Sequence, residues 1–274
     1  MAGYSFRIAY DHPLANKKSF VSTGGYFNYN SNDAELVTAR FLGTGKGYEV
    51  IPYLSNDLLF LQQLSNVRLS FKHLFSKTAS VSAGFNVEAT RVHFDLYRDG
   101  KSTGNVYWNM LPYFNVNKSW GELVHLTISY RRTIRRPGIN ELNPSVDYTD
   151  PYNWRFGTIT LRPTIADNLD LILGRNRDNY YLNFGLGYNV VRDIFTQIRS
   201  LQPDGKTYVV WQNINDRIEY GASTWNGYTF SAKFRLNMNA SYTFNRYSMA
   251  DRLQLRYRNG GSFTSGVNAS YQPA

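Results

Sequence analysis

The sequence has no cysteine among its 274 residues. That excludes disulfides, thiolate metal centres and thiol redox chemistry, while fitting both an oxidising exported compartment and the cytosol. It also lacks any uninterrupted apolar run of the roughly 18 residues that a membrane helix requires, and its mean hydropathy is −0.43; a helical membrane protein is excluded. The opening residues MAGYSFRIAYDHP lack the basic start and apolar stretch of a secretory leader, so an exported protein would carry this chain as a mature form or a fragment. Nowhere does a 3.6-residue apolar period stand out. The four histidines, His12, His73, His93 and His125, lie far apart without ligand spacing. No G-x-S-x-G or phosphate-loop sequence occurs. The expectation is a protein that is no enzyme and has no cofactor and no metal.

Thirty Lys and Arg against 20 Asp and Glu leave a formal charge of +10, which suggests an anionic neighbour. The basic residues are spread along the chain and not gathered into a stripe or helix, so no nucleic-acid partner is expected. Anionic lipid headgroups fit as well as a merely solvated surface does.

What the sequence does have is alternation. In GYTFSAKFRLNMNASYTFN, every even position from Tyr228 to Phe244 is apolar and every odd one polar, the period of two of a strand with one apolar and one wet face. The same pattern runs through 179–190, through 122–131 and through 105–117, where only Pro112 interrupts it. In 79–96 the apolar set occupies odd positions up to Ala89 and then moves to Val92, Phe94 and Leu96; a β-bulge is expected there. The glycine pairs Gly24-Gly25 and Gly260-Gly261 read as bends or bulges.

Polar turns near 12–17, 76–78, 118–121 and 175–178 alternate with longer connections near 31–55, 97–104, 132–164 and 201–206. One rim therefore differs from the other, as in an up-and-down sheet spanning a membrane. Tyr228–Phe244 as one strand would reach roughly 56 Å, against the 9–11 residues that cross a bilayer, so a tight turn is placed at about Ser231–Lys233. The strands are then 3–11, 18–30, 56–75, 79–96, 105–117, 122–133, 165–174, 179–200, 207–230, 234–246 and 252–271. The fold class predicted is all-β, an antiparallel up-and-down transmembrane β-barrel. Because the strand number is odd and such barrels have even numbers, residues 1–274 are expected to form one partial barrel domain.

Residues 129–163, SYRRTIRRPGINELNPSVDYTDPYNWRFGTITLRP, resemble the Bacteroidota-type outer-membrane β-barrel proteins related to TonB-dependent receptors. In that family a strand ending S-Y-x-R-x-I-x-R-P leads to an outer loop with L-N-P, D-P-Y-N and G-N-P-x-L-x-P-E. Here the matching residues are Ser129, Tyr130, Arg132, Ile134, Arg136 and Pro137, then Leu142, Asn143 and Pro144, then Asp150, Pro151, Tyr152 and Asn153, then Gly157, Leu161 and Pro163. Thr158-Ile159 and Thr164 depart from it. The resemblance extends through Asn213-Ile214-Asn215, Tyr220-Gly221 and NMNASYTFNRY, covering roughly 56–274. It implies a larger plugged barrel of about 22 strands, with the plug domain, the first barrel strands and the last strands lying outside this chain.

The resemblance further implies a Gram-negative cell outer-membrane receptor for TonB-dependent uptake of a nutrient such as a siderophore, glycan or peptide. Its partners would be outer-membrane lipid and lipopolysaccharide, the TonB complex acting through the missing plug, and a small-molecule or oligomeric substrate. The alternatives are a structural or adhesive outer-membrane barrel whose loops bind a partner and, less favoured, a soluble all-β carbohydrate-binding module. In the 132–164 loop the substrate-contact candidates are Arg135, Arg136, Tyr148, Tyr152, Trp154 and Arg155, with Phe156 beside them. Aromatic faces suit sugars, porphyrins or peptides, and guanidiniums suit anions. The competing expectation is that these aromatics and prolines fold the loop on itself and anchor it at the membrane rim. Asp147 and Asp150 are expected to form turns in preference to an ion site.

Overall fold

The computed structural model describes residues 2–52, 55–97, 100–121, 123–249 and 259–272. In chain order the elements are β1 (Ala2–Pro13), β2 (Ser19–Leu36), β3 (Ala39–Phe41), β4 (Tyr48–Val50), β5 (Asn56–Ser76), β6 (Ala79–Leu96), β7 (Lys101–Trp120), β8 (Val124–Arg135), α1 (Ile139–Leu142), β9 (Asn153–Phe156), β10 (Thr164–Arg177), β11 (Tyr180–Leu201), β12 (Thr207–Ser231), β13 (Phe234–Met249) and β14 (Asn259–Tyr271). The eleven long strands pair in sequence order into one meander, β1-β2-β5-β6-β7-β8-β10-β11-β12-β13-β14, with β1 and β14 as its edges. The short β9 pairs with β12, and β3 and β4 form a separate hairpin. Every long strand overlaps one expected from the sequence; residues 252–258 of the last one, and Glu122, lie outside the described residues.

Register explains the alternation. Tyr188 faces Tyr220, and Tyr220 faces Phe244, so the even residues of β11, β12 and β13 share one face. On β6 that face carries Val81, Ala83, Phe85, Val87 and Ala89, opposite Val116, Phe114, Pro112, Met110 and Trp108 of β7. We refer to it as the outward face. It leaves Phe6, Val67, Trp108, Phe263 and Val267 each more than 60% exposed. A soluble monomer rarely exposes an apolar patch beyond a few hundred Å², whereas a bilayer requires one. The inward face of β11 and β13 carries Asn183, Asn189, Asn237, Asn239, Ser241 and Thr243, side chains suited to water.

The two rims differ as expected. Chain reversals at 14–18, 77–78, 178–179 and 232–233 lie on one rim together with the paired strand ends Trp120 and Val124, and the last of the four is the turn predicted within Tyr228–Phe244. The other rim carries the long connection 136–163 and the described residues 37–52 and 55 between β2 and β5. Of the other expected long connections, 201–206 is instead the tip of a projecting hairpin, and residues 101–104 of 97–104 belong to β7. The strands keep their ladders up to Leu96↔Lys101 and Leu201↔Thr207, and 202–206 closes with Gln202 N–H on the Lys206 carbonyl at 2.7 Å. Strands β11 and β12 are 22 and 25 residues long, at least twice the roughly 9–11 residues needed for the bilayer; the excess stands in water, where a hairpin still satisfies its own backbone.

The expected bulge in 79–96 is absent. Pairing of β6 with β7 runs unbroken from Ala79↔Lys118 to Leu96↔Lys101. The apolar set changes face because Val92, Phe94 and Leu96 are 1%, 0% and 8% exposed on the inward side, beneath another part of the chain. On the outward side Arg91, His93 and Asp95 follow Ala89, where the strand leaves the apolar band. Neither glycine pair shifts the register. The interior bulge that does exist lies in β11 between Val191 and Phe195, with Asp193 at φ 55°. Pro112 marks where the β7–β8 ladder ends, at Tyr113↔Arg131, since it has no N–H to offer a neighbour.

Gly227 shows how tightly the inward face is filled. A Cβ there would overlap the ring of Tyr181, its register partner on β11. Gly227→Val is therefore expected to lower stability by about 1–3 kcal/mol through overpacking, read as a lower thermal midpoint of the purified protein.

Candidate functional site

Segment 136–163 leaves β8 and folds over the inward face. Pro137, fully buried, stops the strand because it has no N–H for the ladder. One helical turn follows. The Gly138 N–H donates to Glu141 Oε2 at 3.0 Å, and the Asn143 N–H donates to the Ile139 carbonyl at 2.8 Å. The chain then returns beneath this turn, where Gly157 N–H donates to the Asn143 carbonyl at 2.6 Å and Thr158 N–H to the Glu141 carbonyl at 2.8 Å. Only glycine fits at 157, since a Cβ would come within 2.5 Å of the Glu141 carbonyl oxygen. Between these contacts β9 passes β10 and β11 to pair, in parallel, with Thr207–Val210 of β12.

An apolar cluster holds the segment down. Leu142 and Leu161, 0% and 1% exposed, pack with Leu58 and Phe60 of β5, Val92, Phe94 and Leu96 of β6 and Phe195 of β11, flanked by Ile139, Ile159 and Trp211. Burying a leucine fully stabilises by about 1.5–3 kcal/mol, so the two together contribute about 3–6 kcal/mol to holding the segment down. An ion pair pins its start. Arg136 Nε donates to Glu88 Oε1 at 2.6 Å and Nη2 to Oε2, and the Glu88 side chain is only 4% exposed.

The sequence-derived candidates divide into three groups. Arg136 is an anchor, bound to the buried Glu88, while Arg135 holds its guanidinium 4.6 Å from the Phe195 ring centroid and 3.9 Å from Glu141 with its side chain still 64% exposed. Tyr148 and Trp154 are brought together, ring edge to face at 4.9 Å; Trp154 also stacks on Tyr208 at 5.6 Å, with Lys206 Nζ 3.8 Å from its centroid. Phe156 closes on Tyr208 from another side. Tyr152, 72% exposed, and the exposed Arg155 remain open to solvent.

The two aspartates act in turns. Asp147 Oδ1 accepts the Thr149 N–H, and Asp150 accepts the N–H groups of Tyr152 and Asn153 and the Asn153 side-chain amide at 2.8 Å. These bonds, the Asn153 amide foremost and then the Tyr152 N–H, hold the Asp150 carboxyl below its usual range. A depressed folded-state value stabilises the turn above the unfolded value, near about 3.9, and that support is lost as pH falls through the folded value. Fluorescence from the Trp154 cluster is thus expected to be constant from neutrality to about pH 4 and to change below it, with the change lost in Asp150→Asn.

Sequence reasoning missed Glu88, Phe195, Lys206, Tyr208 and Trp211. Glu88 was the most readable of these, a lone carboxylate inside the alternating strand between Val87 and Ala89. Elsewhere on the inward face Arg7, Tyr26, Asn66, Arg68 and Asn86 line a basic depression of about 340 Å³. Among the described residues no group of His, Asp and Glu could hold a metal ion.

Long antiparallel strands, an outward apolar band, a polar inward face and long connections on a single rim define the wall of an outer-membrane β-barrel. Residues 2–273 match the Outer membrane protein beta-barrel family, and the chain belongs to that family, which places it in the outer membrane. No curated protein sequence matches it. Among solved structures it is similar to the copper transporter OprC (TM-score 0.68, 12% identity, 99% of this chain and 49% of that one). It is also similar to the FrpB iron transporter of Neisseria meningitidis, F3-3 variant (0.63, 12%, 94% and 38%). A third is the unliganded ferric citrate transporter FecA (0.60, 13%, 96% and 39%). These likenesses concern the fold. The chain spans at most about half the length of these structures.

Proposed function

We propose that the chain forms part of the wall of a plugged, TonB-dependent importer of the Bacteroidota type, one that captures a nutrient at its outer loops and admits it past a plug that TonB moves. The observation that carries this reading is the 136–163 segment, which folds from the long-connection rim onto the inward face, where it would narrow the lumen of the closed barrel at the point of cargo entry. The likeness in fold to copper, iron and ferric citrate transporters supports the same direction. Of the six candidates, Tyr152, Arg155 and Arg135 are still open to a ligand, while Tyr148, Trp154 and Arg136 shape the surface presenting them. The polar inward face and its basic depression suit a hydrated, partly anionic cargo or the acidic surface of a plug.

Uptake measured in the native host tests this. Loss of the gene and loss of TonB are each expected to abolish accumulation of the same nutrient, with binding to whole cells persisting when only TonB is removed. Normal uptake of every nutrient in the deletion strain, together with loss of attachment to a partner cell or protein, would support a structural or adhesive barrel instead.

A further inference from the structure

On the outward face, beside the aromatic row Tyr130, Tyr188 and Tyr220, stands a cluster that the transport reading does not use. Asp167 of β10 accepts four hydrogen bonds. They come from Tyr130 OH at 2.7 Å, Arg132 Nε at 2.7 Å and Nη2 at 3.1 Å, and Arg192 Nη1 at 2.6 Å. The register places Arg132 opposite Asp167, and Asp167 opposite Val190, the outward residue next to Arg192 on β11. All four side chains therefore share the face that carries Ile128, Leu169, Leu171 and Leu186.

Two guanidiniums share one carboxylate, leaving one net positive charge. Four donors already fill the acceptor sites of a carboxylate, so Asp167 cannot neutralise the remainder. Arg192 commits only Nη1, and its side chain is 49% exposed. A cation on a lipid-facing surface is costly unless paired or placed at headgroup level. The aromatic row next to it is the composition of a membrane interface, and the long connections put this end of the strands on the outer side.

We propose that Arg132 and Arg192, held by Asp167, bind a phosphate group of an outer-leaflet glycolipid of the lipopolysaccharide class. Arg192 supplies the uncommitted Nε and Nη2 edge of its fork to phosphate oxygens, and Arg132, whose Nε and Nη2 are held by Asp167, adds Nη1 and its charge, while Tyr130, Tyr188 and the leucines below meet the acyl chains. Asp167 is the positioning residue: it fixes both guanidiniums on one side of the wall and limits the local charge when no lipid is present. The site is independent of transport and holds equally for a non-transporting barrel.

Native mass spectrometry of the full-length protein, extracted from outer membranes and stripped of lipid, tests the site. The probes are bisphosphorylated lipid A, its dephosphorylated form and inorganic phosphate. The bisphosphorylated lipid is expected to remain bound to the wild type and to bind Arg192→Gln about tenfold or more weakly, with Arg192→Lys between them because it keeps charge and loses the fork. The thermal midpoint of Arg192→Gln is expected to stay near that of the wild type, since Arg132 still holds Asp167. Equal lipid binding by wild type and Arg192→Gln overturns the site. So does equal binding of phosphorylated and dephosphorylated lipid, and so does inorganic phosphate binding that the lipid cannot displace, which would mark a free-phosphate site.

Discussion

Arg136→Ala is expected to release the 136–163 segment from the inward face, at a cost of about 3–5 kcal/mol, the usual penalty for stripping the partner from a buried charge. Glu88 would be left 4% exposed with no counter-ion, and it can escape only by taking up a proton or admitting water beneath the loop. The β6 ladder does not depend on that pair, since its backbone bonds to β5 and β7 are continuous through Glu88. The loss therefore falls on loop docking and leaves the wall standing. Protease cleavage within the segment, measured on intact cells, is expected to rise sharply while the barrel keeps its heat-resistant migration. Arg136→Lys is expected to fall between, having charge without the bidentate fork. Replacing Glu88 and Arg136 together by leucine is expected to recover most of the loss, because an apolar pair of similar volume avoids the desolvation penalty.

Leu142→Ala is the second large effect, expected at about 2–5 kcal/mol. Leu142 is fully buried, and it is carried by the single turn that the returning strand at Gly157 clasps. Its removal leaves a cavity facing Phe60 and Phe94, whose rings lie 4.7 Å apart, and a one-turn helix cannot shift far to fill it. Leu161→Ala acts on the same cluster, so the double variant is expected to cost less than the sum of the two, because once the segment has lifted nothing further is lost. The same cleavage assay reads both, and a wild-type cleavage rate in Leu142→Ala would show that the apolar cluster does not hold the loop.

The strands were legible because a period of two sustained beyond ten residues has no competing interpretation; Tyr228–Phe244 even showed its turn once strand length was set against bilayer thickness. Val92, Phe94 and Leu96 were misread for a physical reason. A change of apolar parity along a strand arises either from a slipped backbone or from a change in which face is covered, and local sequence does not distinguish the two. The covering residues, Leu142 and Leu161, lie about fifty and about seventy residues after Val92. The same distance hid Glu88: Arg136 was recognisable in its motif, but its role depends on a partner 48 positions earlier. Four-residue elements such as α1 and β9 carry too few periods to read, and β9 exists because β12 offers an unpaired edge at Thr207–Val210. Trp154 was singled out for its aromatic face, and its stacking on Tyr208 depends on that same crossing.

The central claim is that alternate residues of these strands face lipid and water. Because the sequence has no cysteine, single cysteines report on it without background. Ala222 and Ala240 lie outward, and their neighbours Ser223 and Ser241 inward; all four are close in size to cysteine. In intact outer membranes, Ser223→Cys and Ser241→Cys are expected to react with a water-soluble maleimide, while Ala222→Cys and Ala240→Cys resist it and react with a lipid-soluble one. Equal reactivity of neighbouring positions toward the aqueous reagent would contradict a membrane-spanning wall.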